Sequence, residues 1–132
     1  MVADYVGRLP WPTRLIEVEE RRKLPAADRM RREAELVRGA RPKGPLVVLD
    51  PGGKAVDSAA FAKRIGAYRD RGTAELVFLI GGADGIAADL KAEADWLLSL
   101  GAMTWPHRLA RVLLAEQLYR AASLLAGHPY HR

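Results

Sequence analysis

The 132-residue chain contains no cysteine, which excludes disulfide staples and thiolate metal sites. Histidine is scarce, with three in all. Two of them, His128 and His131, stand close together, but no carboxylate or third ligand accompanies them, so no metal is expected. No apolar run approaches the roughly 20 residues a membrane-spanning helix needs, and no membrane partner is expected. The start, Met1-Val2-Ala3-Asp4-Tyr5, lacks a basic region followed by an apolar run, so no secretory signal is visible. Two nucleotide-binding patterns are also missing. In Gly81-Gly82-x-x-Gly85 the first glycine of a dinucleotide fingerprint would fall on Ile80. Gly53-Lys54 is no phosphate loop, because Val48 takes the place of its first glycine and Ala55 that of its Ser/Thr. These absences leave a soluble, cytoplasmic protein as the expectation, and the length suits one domain over residues 1–132.

What is present is a balanced globular composition, 49% apolar and 28% charged, with a net charge of +5. The excess is uneven: residues 1–45 carry 11 Lys/Arg against 7 Asp/Glu, whereas residues 46–132 carry 10 against 9. Such a bias favours a polyanionic partner such as nucleic acid. The plainer alternative is that Arg21, Arg22, Lys23, Arg29, Arg31 and Arg32 form a solvated helix face.

Periodicity and turn chemistry give an alternating series of elements. A helix over residues 2–9 is closed by Pro10 and Pro12. Leu15, Ile16 and Val18 between charged residues predict a short strand. Pro25 suits a first helical turn, and a charged helix over 26–38 ends at Gly39. Leu46-Val47-Val48-Leu49 is a continuous apolar run, expected of a strand covered on both faces, and Asp50-Pro51-Gly52-Gly53 then reads as a turn. Asp57 or Ser58 can cap a helix that places Phe61, Ile65 and Tyr68 on its core face and ends at Gly72. A second buried strand over 76–80 runs into the glycine turn 81–85. A short helix over 86–95 leads to a third apolar segment over 96–103, interrupted by Gly101. After Pro106 a long helix spans 107–126, and Gly127 stops it.

Strands alternating with helices predict an α/β fold with a mostly parallel sheet flanked by helices. Parallel sheets bind ligands beyond the carboxyl ends of their strands. Three loops meet that description: those after Leu49, after Ile80, and from Gly101 to Pro106. The long helix carries Leu109, Val112, Leu113, Leu114, Leu118, Leu124 and Leu125 on more than one face. A small monomer has little room to bury such a helix, so a subunit interface is expected there. Glu116 and Arg120, four apart, form an ordinary helix pair, which leaves Arg111 unexplained. His107 opens the helix and could be a simple cap-region residue. The ending His128-Pro129-Tyr130-His131-Arg132 is either a frayed terminus or an aromatic and cationic group suited to an RNA loop.

These segments carry a resemblance. Phe78-Leu79-Ile80-Gly81-Gly82-Ala83-Asp84-Gly85, the run from Leu98 through Gly101-Ala102-Met103-Thr104-Trp105-Pro106-His107, the helix residues 111–121, and the ending His128-Pro129-Tyr130-His131-Arg132 resemble the ribosomal RNA large subunit methyltransferase H family of the SPOUT superfamily. The resemblance covers nearly the whole chain. It implies a trefoil knot in the carboxyl-terminal part and a homodimer. It also implies methylation, from S-adenosylmethionine, of N3 of a pseudouridine in 23S rRNA of the assembled ribosome. The cofactor contacts it implies are Leu49, Gly81, Leu100, Gly101, Ala102, Met103, Thr104 and Trp105, on the loops that sheet topology selects. His131, His107 and Arg111 are then expected to serve catalysis, and His128, Tyr130 and Arg132 to hold RNA. The family begins with a further Val- and Gly-rich strand and the first part of a helix, so this chain is expected to start within that helix and to lack that strand. A protein that kept the fold as a non-catalytic RNA-binding or ribosome-assembly module is the alternative.

Overall fold

The computed structural model describes residues 2–82, 84–101, 103 and 105–127. Its elements run α1 (Val2–Gly7), α2 (Ala26–Ala40), β1 (Leu46–Ala55), α3 (Ser58–Asp70), β2 (Val77–Ile80), α4 (Ala88–Ala92), β3 (Trp96–Ser99) and α5 (His107–Leu125). Among the described residues the sheet has three strands in the order β2-β1-β3, all parallel. The α/β reading with a parallel sheet holds.

Strand alternation divides the core into two halves. Val47 and Leu49 of β1, Phe78 and Ile80 of β2, and Trp96 and Leu98 of β3 face α3 and α5, where Phe61, Ile65, Tyr68, Leu114 and Ala121 meet them. Leu46 and Val48 point the other way, onto Ala34 of α2 and Leu90 of α4. Leu46, Val47 and Val48 are fully buried, each worth roughly 1.5–3 kcal/mol of apolar transfer. Both faces of β1 are thus covered, as its uninterrupted apolar run predicts.

The local chemistry explains several boundaries. Asp57 caps α3, its carboxylate accepting the Ala60 N–H at 2.7 Å. Gly72 takes a φ of +75° just after Arg71 caps the end of that helix. Asp95 aligns β3 with β1: its carboxylate accepts the Leu46 N–H at 2.7 Å, and its own N–H donates to the Leu46 carbonyl at 2.8 Å.

Four expectations change. The segment holding Leu15, Ile16 and Val18 is not a strand; it pairs with none of the three, and Leu15 and Ile16 are 59% and 45% exposed. Its amino-acid pattern suits a strand, but a strand needs a neighbour to satisfy its backbone. The turn at residues 50–53 does not end β1, which resumes and pairs Lys54 and Ala55 with Leu98 and Ser99. The helix expected over 86–95 shrinks to the five residues of α4. The charged helix passes through Gly39 to Ala40, its end set by Arg41 in an extended conformation.

Candidate functional site

Register places the three selected loops side by side. Leu49 pairs with Ile80 on one flank and with Leu98 on the other. At the usual spacing between strands, the row Ile80–Leu49–Leu98 is about 10 Å wide. Gly81 follows Ile80 directly, and Leu100 and Gly101 follow the end of β3. Leu49, Gly81, Leu100 and Gly101 therefore share one edge of the sheet, the edge to which all carboxyl ends point.

Each loop is held by identifiable chemistry. A Cβ on Gly81 would lie 2.6 Å from Cγ1 of Ile86, so a side chain there would force Ile86 to shift. Gly82 and Gly85 form an isolated bridge, with Gly85 N–H donating to the Gly82 carbonyl at 3.1 Å. Asp84 in the same loop pairs with Arg29 of α2 at 2.8 Å. The loop at residues 50–53 is a bulge, because Leu49 and Lys54 both stand opposite Leu98. Asp50 accepts the Gly52 N–H at 3.1 Å and pairs with Lys91 of α4 at 3.5 Å. Ser99, buried at the end of β3, hydrogen-bonds both the Gly101 backbone and the Pro51 carbonyl. Neither composition nor periodicity singled out Ser99. The available signal was a lone hydroxyl within the apolar run Trp96-Leu97-Leu98-Ser99-Leu100, immediately before a glycine turn.

The last loop opens outward. Gly101 has a φ of +118°, and among the described residues no atom lies within 4 Å of where a Cβ would project. Met103 and Trp105 are 71% and 38% exposed. Ala102 and Thr104, like His128, Tyr130, His131 and Arg132, lie outside the described residues. The edge thus offers apolar side chains and open glycine backbone within about 10 Å, a lining suited to a flat apolar ring with polar edges.

His107 and Arg111 occupy successive turns of α5, on one face. His107 is exposed, and Arg111 is tied to Glu17 at 3.1 Å. Glu116 and Arg120 make the expected helix pair.

The basic amino-terminal segment is largely spent on internal partners. Arg21 pairs with Glu19, Arg22 and Arg32 with Glu20, Arg29 with Asp84, and Arg31 with Asp28. The Arg22 side chain, which donates to Glu20, is the largest influence holding that carboxyl down at about 2; the Arg22 backbone N–H and the charge of Arg32 add to it. The hydrogen bonds that Arg38 donates to Glu93 and Asp89 raise Arg38 above its usual value, and Arg38 in turn lowers Asp89. Among the described residues Lys63, Arg64 and Arg71, along a groove beside α3, make no ion pair, as is true of Arg8, Arg14, Lys23, Arg41 and Lys43 in the amino-terminal segment. Arg64 lies over the Trp96 ring at 4.5 Å and Arg71 over Tyr68 at 4.6 Å.

Comparison with known proteins assigns this arrangement to a class. Residues 1–131 match the family described as "Predicted SPOUT methyltransferase", and the chain belongs to the SPOUT methyltransferases, in the ribosomal RNA large subunit methyltransferase H family. It is 52% identical to the ribosomal RNA large subunit methyltransferase H of Rhodospirillum centenum, over 98% of this chain and 86% of that protein. The protein of the same name from Roseobacter denitrificans is 55% identical, over 100% of this chain and 88% of its own length. That from Rhizobium etli is 54% identical, over 91% and 76%. Among the described residues no helix is long and apolar enough to cross a membrane.

Proposed function

We propose that this chain transfers a methyl group from S-adenosylmethionine to N3 of a pseudouridine in 23S rRNA of the assembled ribosome. It does so as a cytoplasmic homodimer. The observation that carries the reading is the single sheet edge on which Leu49, Gly81, Leu100 and Gly101 meet. These are the positions that family resemblance assigns to the cofactor, together with Ala102, Met103, Thr104 and Trp105. The names of the relatives support the RNA substrate.

The lining fits such a cofactor. Leu49 and Leu100 are half-buried apolar walls, and among the described residues nothing occupies the side of Gly101 where a Cβ would project. When bound, the cofactor supplies a methyl group on a positively charged sulfonium, so displacement needs alignment more than covalent help. The chain's own residues serve the other partner. N3 of the base carries a proton that must leave, and His107, exposed at the start of α5, takes it, or His131 does so. Arg111 stabilises the developing negative charge. A guanidinium carries five donors, so Arg111 can keep Glu17 and still present an N–H to the base. His128, Tyr130 and Arg132 hold the RNA by stacking and pairing. The long helix α5 supplies the dimer contact, with Leu109 exposed near its start. The knotted path of the carboxyl-terminal part belongs to the same proposal.

Titration calorimetry with S-adenosylmethionine tests the reading first. Saturable binding is expected, and no heat at millimolar ligand contradicts it in favour of a non-catalytic RNA-binding module. Methylation of purified ribosomes by Arg111→Ala and His131→Ala then tests the roles. Each is expected to lose roughly a hundredfold or more in rate, and normal rates in both overturn the assignment.

A further inference from the structure

Ser99 is the last residue of β3 and is only 6% exposed. A buried hydroxyl needs partners, and those of Ser99 belong to no helix or strand ladder. Its Oγ accepts the Gly101 N–H at 3.0 Å. Its single proton is directed to the Gly101 carbonyl at 2.8 Å, with the Pro51 carbonyl also in reach at 3.3 Å. Gly101 belongs to the loop after β3, and Pro51 to the bulge after Leu49. Between Leu49 and Lys54 the two strands have no paired residues, because both positions face Leu98. The bulge is therefore free of the ladder where it meets the third loop. Gly53 packs directly onto the Leu97 and Leu98 backbone, a Cβ there reaching 2.8 Å from Leu97, which brings the bulge within reach of Ser99. Gly101, at φ +118°, sits in a region to which only glycine is well suited. A hydroxyl that clamps both its N–H and its carbonyl selects that conformation from the many a glycine could adopt.

We infer that Ser99 is a positioning residue. Its hydroxyl locks the Gly101 turn against the bulge at residues 50–53 and so sets the width of the slot bordered by Leu49, Leu100 and Gly101. The inference rests on the cofactor reading of that edge. Ser99 precedes the run assigned to the cofactor by one residue and acts through Gly101 and Pro51 rather than on the reacting atoms.

The test compares the full chain with Ser99→Ala by calorimetry against S-adenosylmethionine and by steady-state methylation of ribosomes. Ser99→Ala is expected to weaken cofactor binding about tenfold, the scale of one lost buried hydrogen bond. At saturating cofactor kcat should stay within about threefold of the parent, because the reacting groups are untouched. Should Ser99→Ala not fold, Ser99→Cys fills nearly the same space with a weak donor and is expected to weaken binding in the same direction. Ser99→Ala that melts at a lower temperature yet binds the cofactor as tightly as the parent overturns the inference, leaving Ser99 merely structural. A parent chain that binds no cofactor overturns the cofactor reading itself, and the inference with it. The two failures are thus told apart by the parent's own titration.

Discussion

A Cβ placed on Gly53 would stand 2.8 Å from the carbonyl carbon and oxygen of Leu97 and 3.0 Å from the Leu98 nitrogen. All three are backbone atoms of a strand fixed in the sheet, so they cannot give way as a flexible side chain would. Gly53→Ala is therefore expected to destabilise the fold by about 1–3 kcal/mol, the usual cost of overpacking, measured by urea unfolding. An unchanged midpoint contradicts the close approach of the bulge to β3. Glu20 gives a second prediction at this scale. Its carboxyl titrates at about 2 in the folded chain, against an ordinary 4.5, chiefly because the Arg22 side chain hydrogen-bonds the charged form. A carboxyl held low in the folded state contributes stability that is fully present above pH 4.5 and is lost as the pH falls through 2. The stability difference between the parent and Glu20→Gln should accordingly shrink as the pH drops from 4.5 towards 2. A difference that stays constant over that window denies the pairing.

Among the elements, α3 shows how a short cap organises a helix that faces both core and solvent. Asp57 satisfies one of its unpaired N–H groups, and Ser58 donates to Gln117 of α5 at 2.7 Å, joining the two helices that cover one face of the sheet. Asp57→Ala should cost about 1 kcal/mol, read as a lowered unfolding midpoint with activity retained, and no loss of stability means that the cap is idle. This element was legible in the sequence, since Asp57, Phe61, Ile65, Tyr68 and Gly72 all take the places their spacing predicts. β1 and β2 were legible as strands because a continuous apolar run of that length fits little else, although β2, expected to be buried, is only half-buried along its length. Other features depend on contacts distant in the chain, and local pattern is silent about those. Leu15 and Ile16 carry strand chemistry and have no strand beside them. Asp50-Pro51-Gly52-Gly53 makes the turn its residues suit, but whether a strand resumes beyond it is decided by Leu98 and Ser99, more than 40 residues on. The pairing of Arg29 with Asp84 and of Arg111 with Glu17 spans 55 and 94 residues. Hence the basic segment suits either a nucleic-acid surface or a solvated face by pattern, and its pattern does not show that Arg21, Arg22, Arg29, Arg31 and Arg32 each pair with a carboxylate.

For the whole molecule, the layers place function at one edge. Helices α2 and α4 on one face and α3 and α5 on the other bury Leu46, Val47 and Val48 of β1, so a ligand meets backbone and side chains where the parallel strands end. The position of this edge followed from strand order alone; that the loop after β3 is tied to the bulge after β1 did not. The start of α5 leaves Leu109 42% exposed. If the dimer forms through this face of α5, Leu109→Asp should shift the chain to a monomer in light scattering coupled to size exclusion, since a charge cannot be buried there unpaired. A dimer that persists at the same concentration removes Leu109 from the interface.

The central claim is methyl transfer to large-subunit RNA, and one measurement meets it directly. Ribosomes from a strain lacking this methyltransferase are incubated with the purified chain and S-adenosylmethionine labelled on its methyl group, and the label is then located by nuclease digestion and mass spectrometry. One methyl group per ribosome is expected, on N3 of a pseudouridine in 23S rRNA. RNA that takes up no label from a chain that binds the cofactor, or label confined to another base or another RNA, contradicts it.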